Sequence, residues 1–193
     1  VKTIDYINNN AKTQIIFDLD GTICDILIDW SEWEKGLARL FSKYSHDHYS
    51  TTSNGNLDQN QNVKKYGEPL LIELKNFIRD YEASNTTGFK TVNVTIELIK
   101  NIGHLELYIW SANSEKTIKA AIETLKIDDA FKKTVGRESL IMQKPDPEGF
   151  EIIQSLNPDL HKSKYLFIGN APNDYQAAQN AGIDYINVNE IVN

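Results

Sequence analysis

The chain has 193 residues, 40% of them hydrophobic and 24% charged, enough to bury one substantial core beside a small appendage and too apolar for wholesale disorder. Its formal net charge of -7 argues against a general nucleic-acid binder, whose affinity rests on Lys and Arg neutralising phosphates, but leaves room for a locally positive site. No apolar run approaches the roughly 20 residues that span a bilayer, the N-terminal residues lack the charged-then-apolar order of a secretion signal, and the single cysteine, Cys24, excludes an intrachain disulfide and a Cys-rich zinc site. The reading is a cytoplasmic protein without a membrane partner, with Cys24 a small buried hydrophobe.

In chain order, Ile15-Ile16-Phe17 is a short apolar run ending in acids and predicts a buried strand. The segment from about Ile23 to Lys90 offers helices without a convincing strand between them. Trp30, Trp33, Leu37, Leu40, Phe41 and Tyr44 recur at helical spacing, as do Leu70, Leu71, Leu74, Phe77, Ile78 and Tyr81 after Pro69; these stripes read as packing surface. Between them, Ser45 to Asn62 is rich in Ser, Thr, Asn, Gln and Gly and predicts a mobile loop, in which His46 and His48 read as solvated side chains more readily than as a metal pair. Beyond residue 90, Val92, Ile96 and Ile99 predict a helix ending before Gly103, Leu105 to Trp110 a strand, and Ile118, Ala121, Ile122 and Leu125 a helix behind the capping candidates Asn113 and Ser114. A helix follows Pro147 with Phe150, Ile153 and Leu156 on one face; then come a strand at Tyr165 to Ile168, a helix from about Asn173 to Gly182, and a strand at Ile183 to Val188. That alternation predicts an α/β fold, a doubly wound, mostly parallel, Rossmann-like sheet built from 1–22 and 91–193, with a small helical cap, 23–90, inserted after the first strand.

The chemistry concentrates at Asp18-Leu19-Asp20-Gly21-Thr22, directly after the first strand. A two-residue spacing in extended chain directs both carboxylates to one side, at the strand end where open α/β sheets bind ligands, and Gly21 permits a sharp turn. One carboxylate can attack while the other shuttles protons, and a site holding carboxylates and a phosphate recruits a hard cation, most naturally Mg²⁺. A calcium loop is the competing reading of Asp-x-Asp-Gly, but an EF-hand wants Gly where Ile23 stands and Glu where Asp29 stands. A pair of solvated turn acids is the blandest alternative, and what weakens it is the company these acids keep.

Four short motifs occur in order across nearly the whole chain: Asp18 to Thr22; Ser111 closing the strand Leu107-Tyr108-Ile109-Trp110; Lys144 in Lys144-Pro145-Asp146-Pro147; and Gly169-Asn170-Ala171-Pro172-Asn173-Asp174 followed by Ala177-Ala178 and Ala181-Gly182. With these the chain resembles the haloacid dehalogenase superfamily, and within it the phosphoglycolate-phosphatase-like branch that carries a helical cap after the first motif. The resemblance implies that Asp18 attacks phosphorus, with Asp20 as acid and then base. It implies that Thr22, Ser111, Ala112, Asn113 and Lys144 hold the phosphoryl group of a small phosphorylated substrate. Mg²⁺ would rest on Asp18, Asp20 through its backbone carbonyl, and Asn170, with Asp174 supporting. The family usually has Asp where Asn170 stands, so this site has one negative charge fewer. A phosphomutase using the same residues, or a catalytically silent binding module, stays open at this point; a dehalogenase fits less well because that branch lacks the second acid, here Asp20. Nothing in the pattern speaks to oligomeric state.

Overall fold

The structure, a computed structural model, describes residues 2–45 and 55–192. Its first element is helix α1 (Thr3–Asn9), and strand β1 (Gln14–Phe17) follows. Ile15, Ile16 and Phe17 have no exposed surface at all, which a strand achieves only when both faces of its sheet are covered. Later in the chain come β4 (Glu106–Trp110), β5 (Phe131–Val135), β6 (Tyr165–Gly169) and β7 (Asp184–Asn187). The five form one sheet in the order β5-β4-β1-β6-β7, every pairing parallel, as the alternation in the sequence predicts.

The two-residue period of the strands sorts their side chains onto two cores. Ile15, Phe17, Leu107, Ile109, Leu166 and Ile168 face one layer, where they meet α1, α5 (Asn93–Asn101) and α6 (Glu115–Thr124). Ile16, Tyr108, Trp110, Tyr165 and Phe167 face the other, where they meet α7 (Glu148–Gln154) and α8 (Pro172–Ala181). Burial of such apolar layers contributes roughly 25 cal/mol per Å² and is what holds the sheet together. Because β1 is central, Asp18 emerges from it between the ends of β4, leading to Ser111, and β6, leading to Asn170.

Between β1 and β4 the chain makes an excursion. Helices α2 (Trp30–Ser42), α3 (Gly55–Tyr66) and α4 (Glu68–Asn85) enclose a small core of Leu37, Leu40, Phe41, Val63, Leu70, Leu74 and Ile78, into which Met142 also packs. Two features here differ from expectation. Strands β2 (Cys24–Leu27) and β3 (Gly88–Thr91) pair antiparallel at the two ends of the excursion; each is four residues long and its partner lies across three helices, so no local pattern betrays it. The polar stretch expected to run as a mobile loop to Asn62 is helical from Gly55 onward. Its Asn60 is buried and exchanges two hydrogen bonds with the Gln143 main chain, 2.7 and 2.8 Å, so paired amides replace the apolar stripe that would have announced a helix. His46 and His48, and the rest of that loop up to residue 54, lie outside the described residues.

In the parallel core, Leu156 is corrected from the buried face to an exposed position, because α7 stops at Gln154. Strand β5 was not anticipated: its Lys132 and Lys133 point outward at the sheet edge and mask the alternation. No helix among the described residues is long and apolar enough to cross a membrane.

Candidate active site

The site assembles on the carboxyl ends of β1, β4 and β6 and on the turn after β5. Asp18 is 7% exposed and continues the β1 ladder through its amide, which donates to the Ile168 carbonyl at 2.9 Å. Its carboxylate Oδ1 accepts from Lys144 Nζ at 2.7 Å. The same ammonium donates to Asp174 Oδ1 at 2.5 Å and to the Trp110 carbonyl at 3.2 Å. Asp174 Oδ2 in turn accepts from the Asn170 and Ala171 amides, 3.1 and 2.9 Å. Lys144 and Asp174 are both buried, so two carboxylates and one ammonium satisfy one another at the floor of the site with little help from solvent.

Burial opposes the charge of Lys144, but Asp174 and Asp18 outweigh it and raise its pKa above the ordinary value. Burial pushes the Asp18 carboxyl upward against the pull of Lys144, with Asp174 adding to the rise. Asp20 is pushed up to about 6, first by burial and then by the charges of Asp25 and Glu82, against the hydrogen bond from the Ile26 amide. That bond, 2.7 Å to Oδ1, is donated by β2, so the unforeseen hairpin fixes the second acid. Gly21 turns the chain at φ 74°, and a Cβ there would lie 2.2 Å from Asn170 Nδ2; glycine is required both for the backbone and for the approach of Asn170.

Behind β4, Ser111 Oγ donates to Asn113 Oδ1 at 2.9 Å and accepts from the Asn113 amide at 3.3 Å. Asn113 Nδ2 donates to Glu82 Oε1, and the Ser114 amide to Glu82 Oε2, both at 2.9 Å. Glu82 comes from α4, so the excursion reaches directly into the loop that carries Ser111. Asp18, Asp20, Ser111, Ala112, Asn113, Lys144, Asn170 and Asp174 share the wall of one cleft of about 240 Å³. Eight of the nine residues expected at the site are thereby brought together.

One expectation is corrected. Thr22 is fully buried away from the cleft wall, its hydroxyl donating to Asn170 Oδ1 at 3.3 Å, which makes it an orienter of Asn170 and not a phosphate contact. Asp174, expected to support the metal, has its oxygens engaged by Lys144 and by the Asn170 and Ala171 amides. Among the described residues no three His, Cys, Asp or Glu side chains converge as a metal-binding group. The oxygen donors that remain are the Asp18 carboxylate, the Asp20 carbonyl and the Asn170 amide oxygen. This is a hard, all-oxygen set of the kind Mg²⁺ prefers, with a single carboxylate charge. Glu82, Arg137, Trp30, Trp33, Ala171 and Asn173 also line the cleft; Glu82 and Arg137 stand in no motif, and Trp30 and Trp33 read from the sequence as packing surface.

The fold and site define a hydrolase of known type: the family model for haloacid dehalogenase-like hydrolases matches residues 15–188, and the chain belongs to that family. Among its relatives is a phosphoglycolate phosphatase of Mannheimia succiniciproducens, 26% identical over 190 residues that cover 90% of this chain and 84% of that one. Another is pyrophosphatase PpaX of Bacillus velezensis, 28% identical over 188 residues covering 88% and 80%. Of solved structures, CbbY from Rhodobacter sphaeroides in complex with phosphate superposes with a TM-score of 0.59 at 12% identity, covering 91% of this chain and 85% of the other. A HAD-superfamily hydrolase of Geobacter sulfurreducens gives 0.56 at 15%, covering 90% and 88%.

Proposed function

We propose that the protein hydrolyses a small phosphomonoester, with Asp18 as nucleophile and Asp20 as proton shuttle, the excursion of residues 23–90 serving as a cap over the cleft. The observation that carries this reading is the buried Lys144 bridging Asp18 and Asp174 at 2.7 and 2.5 Å beside a second acid, Asp20, pushed up to about 6 by burial. Asp18 attacks phosphorus and forms an aspartyl-phosphate as the bond to the leaving oxygen breaks; Asp20 gives that oxygen its proton. Asp20, now ionised, takes a proton from water as the water attacks phosphorus, releasing phosphate and restoring Asp18. Lys144 and the Ser111 hydroxyl offset the charge on the phosphoryl oxygens, and Glu82 holds Asn113, and through it Ser111, in place. The relatives named for phosphoglycolate and for pyrophosphate support a small phosphorylated substrate. Mg²⁺, held by Asp18, the Asp20 carbonyl and Asn170, would neutralise phosphoryl charge and align the group for attack.

The neutral Asn170 favours one second reading, a phosphate-binding module with decayed catalysis. Phosphate release from a panel of phosphorylated metabolites and an aryl phosphate, with and without Mg²⁺, separates the two. The hydrolase reading expects cation-dependent release that Asp18→Asn abolishes. Absence of release from every substrate by folded wild-type protein, with phosphate still bound, would establish the binding module instead.

A further inference from the structure

Lys144 donates all three protons of its ammonium, to Asp18, Asp174 and the Trp110 carbonyl. Its charge meets something further. Nζ lies over the Phe167 ring, 5.4 Å from the centroid, and over the Trp110 ring at 5.9 Å, inside the roughly 6 Å within which a cation is drawn to an aromatic face. The two rings stack on each other, centroids 5.1 Å apart and planes 19° from parallel, and neither has any exposed surface. They come from β4 and β6, the strands on either side of β1, so the core beneath the site holds them still.

An indole is a poor choice for that place if packing is its whole purpose. Trp110 Nε1–H is buried with no partner, a donor that Phe or Leu would not strand. Its edge also fits only because residue 149 is glycine: a Cβ there would lie 2.1 Å from Nε1. What the indole supplies, and other apolar side chains do not, is the strongest π face for a cation.

We propose that Trp110 and Phe167 are positioning residues for phosphoryl transfer, their stacked rings forming an aromatic seat that keeps the Lys144 ammonium in place while Asp18 changes charge. The proposal rests on the hydrolase reading above and goes beyond it. In the resting site Asp18 and Asp174 both hold the ammonium. Once Asp18 carries the phosphoryl group it no longer offers Lys144 a full carboxylate charge, and a flexible four-carbon stem is freer to drift. The ring faces exert an attraction that no step of the reaction removes, so Lys144 stays facing the phosphoryl oxygens through both halves of the cycle. Neither ring lines the cleft, so both act through Lys144.

The test replaces Phe167 by 4-fluoro-, 3,5-difluoro- and pentafluorophenylalanine, incorporated at that position alone. Each fluorine drains the π face while leaving the ring about as large and more apolar. A ring that only packs therefore predicts equal or greater resistance to urea and an unchanged kcat. The aromatic seat predicts the opposite: the urea midpoint falls with each fluorine, and kcat for phosphate release falls in step by about tenfold across the series while KM moves less. Tyr185 meets Phe167 edge-on and feels the fluorines as well, so the series is repeated in Lys144→Met, where the loss of stability is expected to vanish. If that variant does not fold, fluorinated tryptophans in place of Trp110, whose ring stacks on Phe167, decide instead, with the same stepwise decline expected. A flat or rising urea midpoint, a decline that persists in folded Lys144→Met, or a kcat that ignores the series overturns the proposal. Should wild-type protein release phosphate from no ester while the Lys144-dependent decline in stability remains, the hydrolase reading fails and the seat of Lys144 stands.

Discussion

The two walls of the cleft are built on different principles. On one, Asp18, Lys144 and Asp174 form a closed ionic set held by the parallel core, each oxygen nearest the ammonium within 2.7 Å of it and Asp174 locked further by two amides. On the other, Glu82, Asn113, Arg137 and Trp33 come partly from the excursion, and the Trp33 indole Nε1–H is buried there without a partner. The closed wall suits chemistry, which needs groups fixed before the reaction begins. The open wall, supplied in part by α2 and α4, depends on how the excursion sits against the core.

Breaking the closed wall carries the largest expected effect. Lys144→Met leaves Asp18 and Asp174 buried without their cation and is expected to cost on the order of 3 to 5 kcal/mol in urea denaturation; a loss below about 1 kcal/mol would show that the pair is solvated. Glu82→Ala strikes the open wall. It strips partners from Asn113 Nδ2 and the Ser114 amide, with an expected loss of about 1 to 3 kcal/mol, and it frees Asn113 to release Ser111, so kcat should fall more than KM rises. A change confined to KM would place Glu82 in substrate binding instead. Asn170→Asp restores a second carboxylate between the walls and is expected to tighten Mg²⁺, titrated by calorimetry without substrate, by about tenfold; unchanged affinity would remove Asn170 from the ligand set.

The smallest effect lies outside the cleft and serves as a control. At the β7 edge, burial tends to raise the Asp184 carboxyl, but Lys12 and Tyr6 outweigh it and hold it below its ordinary 3.8. A carboxyl depressed on folding stabilises above its unfolded pKa, and that contribution is lost as pH falls through the folded value. Asp184→Asn should therefore narrow the drop in melting temperature on acidification below 3.8. The side chain is 46% exposed, so solvent screens the pair and the gain is modest. An unchanged acid slope would mean that the ion pair contributes nothing.

The closed wall was legible in the sequence and the open wall largely was not, for a physical reason. Asp18, Ser111 and Asn170 each follow directly on a buried apolar strand, so local pattern alone places them at one edge of a parallel sheet. Lys144 announces itself by its place before a helix, in the run Lys144-Pro145-Asp146-Pro147. Glu82 closes an amphipathic helix and reads as a solvated acid, and Arg137 stands in Gly136-Arg137-Glu138-Ser139, which reads as surface turn. Both acquire meaning only when α3 and α4 fold down on the core, through Asn60 with Gln143, Gln59 with Arg137, and Lys75 donating to the Glu138 carbonyl at 2.9 Å. Those contacts join positions far apart in the chain and leave no periodic trace. The same holds for β2 and β3, whose pairing closes the excursion and presents the Ile26 amide to Asp20.

The proposed role of Asp18 as nucleophile is tested by an acid quench during turnover of a hydrolysed phosphomonoester, followed by peptide mass analysis. One added phosphoryl group is expected on the peptide that contains Asp18, located at that side chain by fragmentation and missing from Asp18→Asn. Phosphate release that proceeds at the wild-type rate in Asp18→Asn, or a phosphoryl group found on Asp20 in its place, would contradict it.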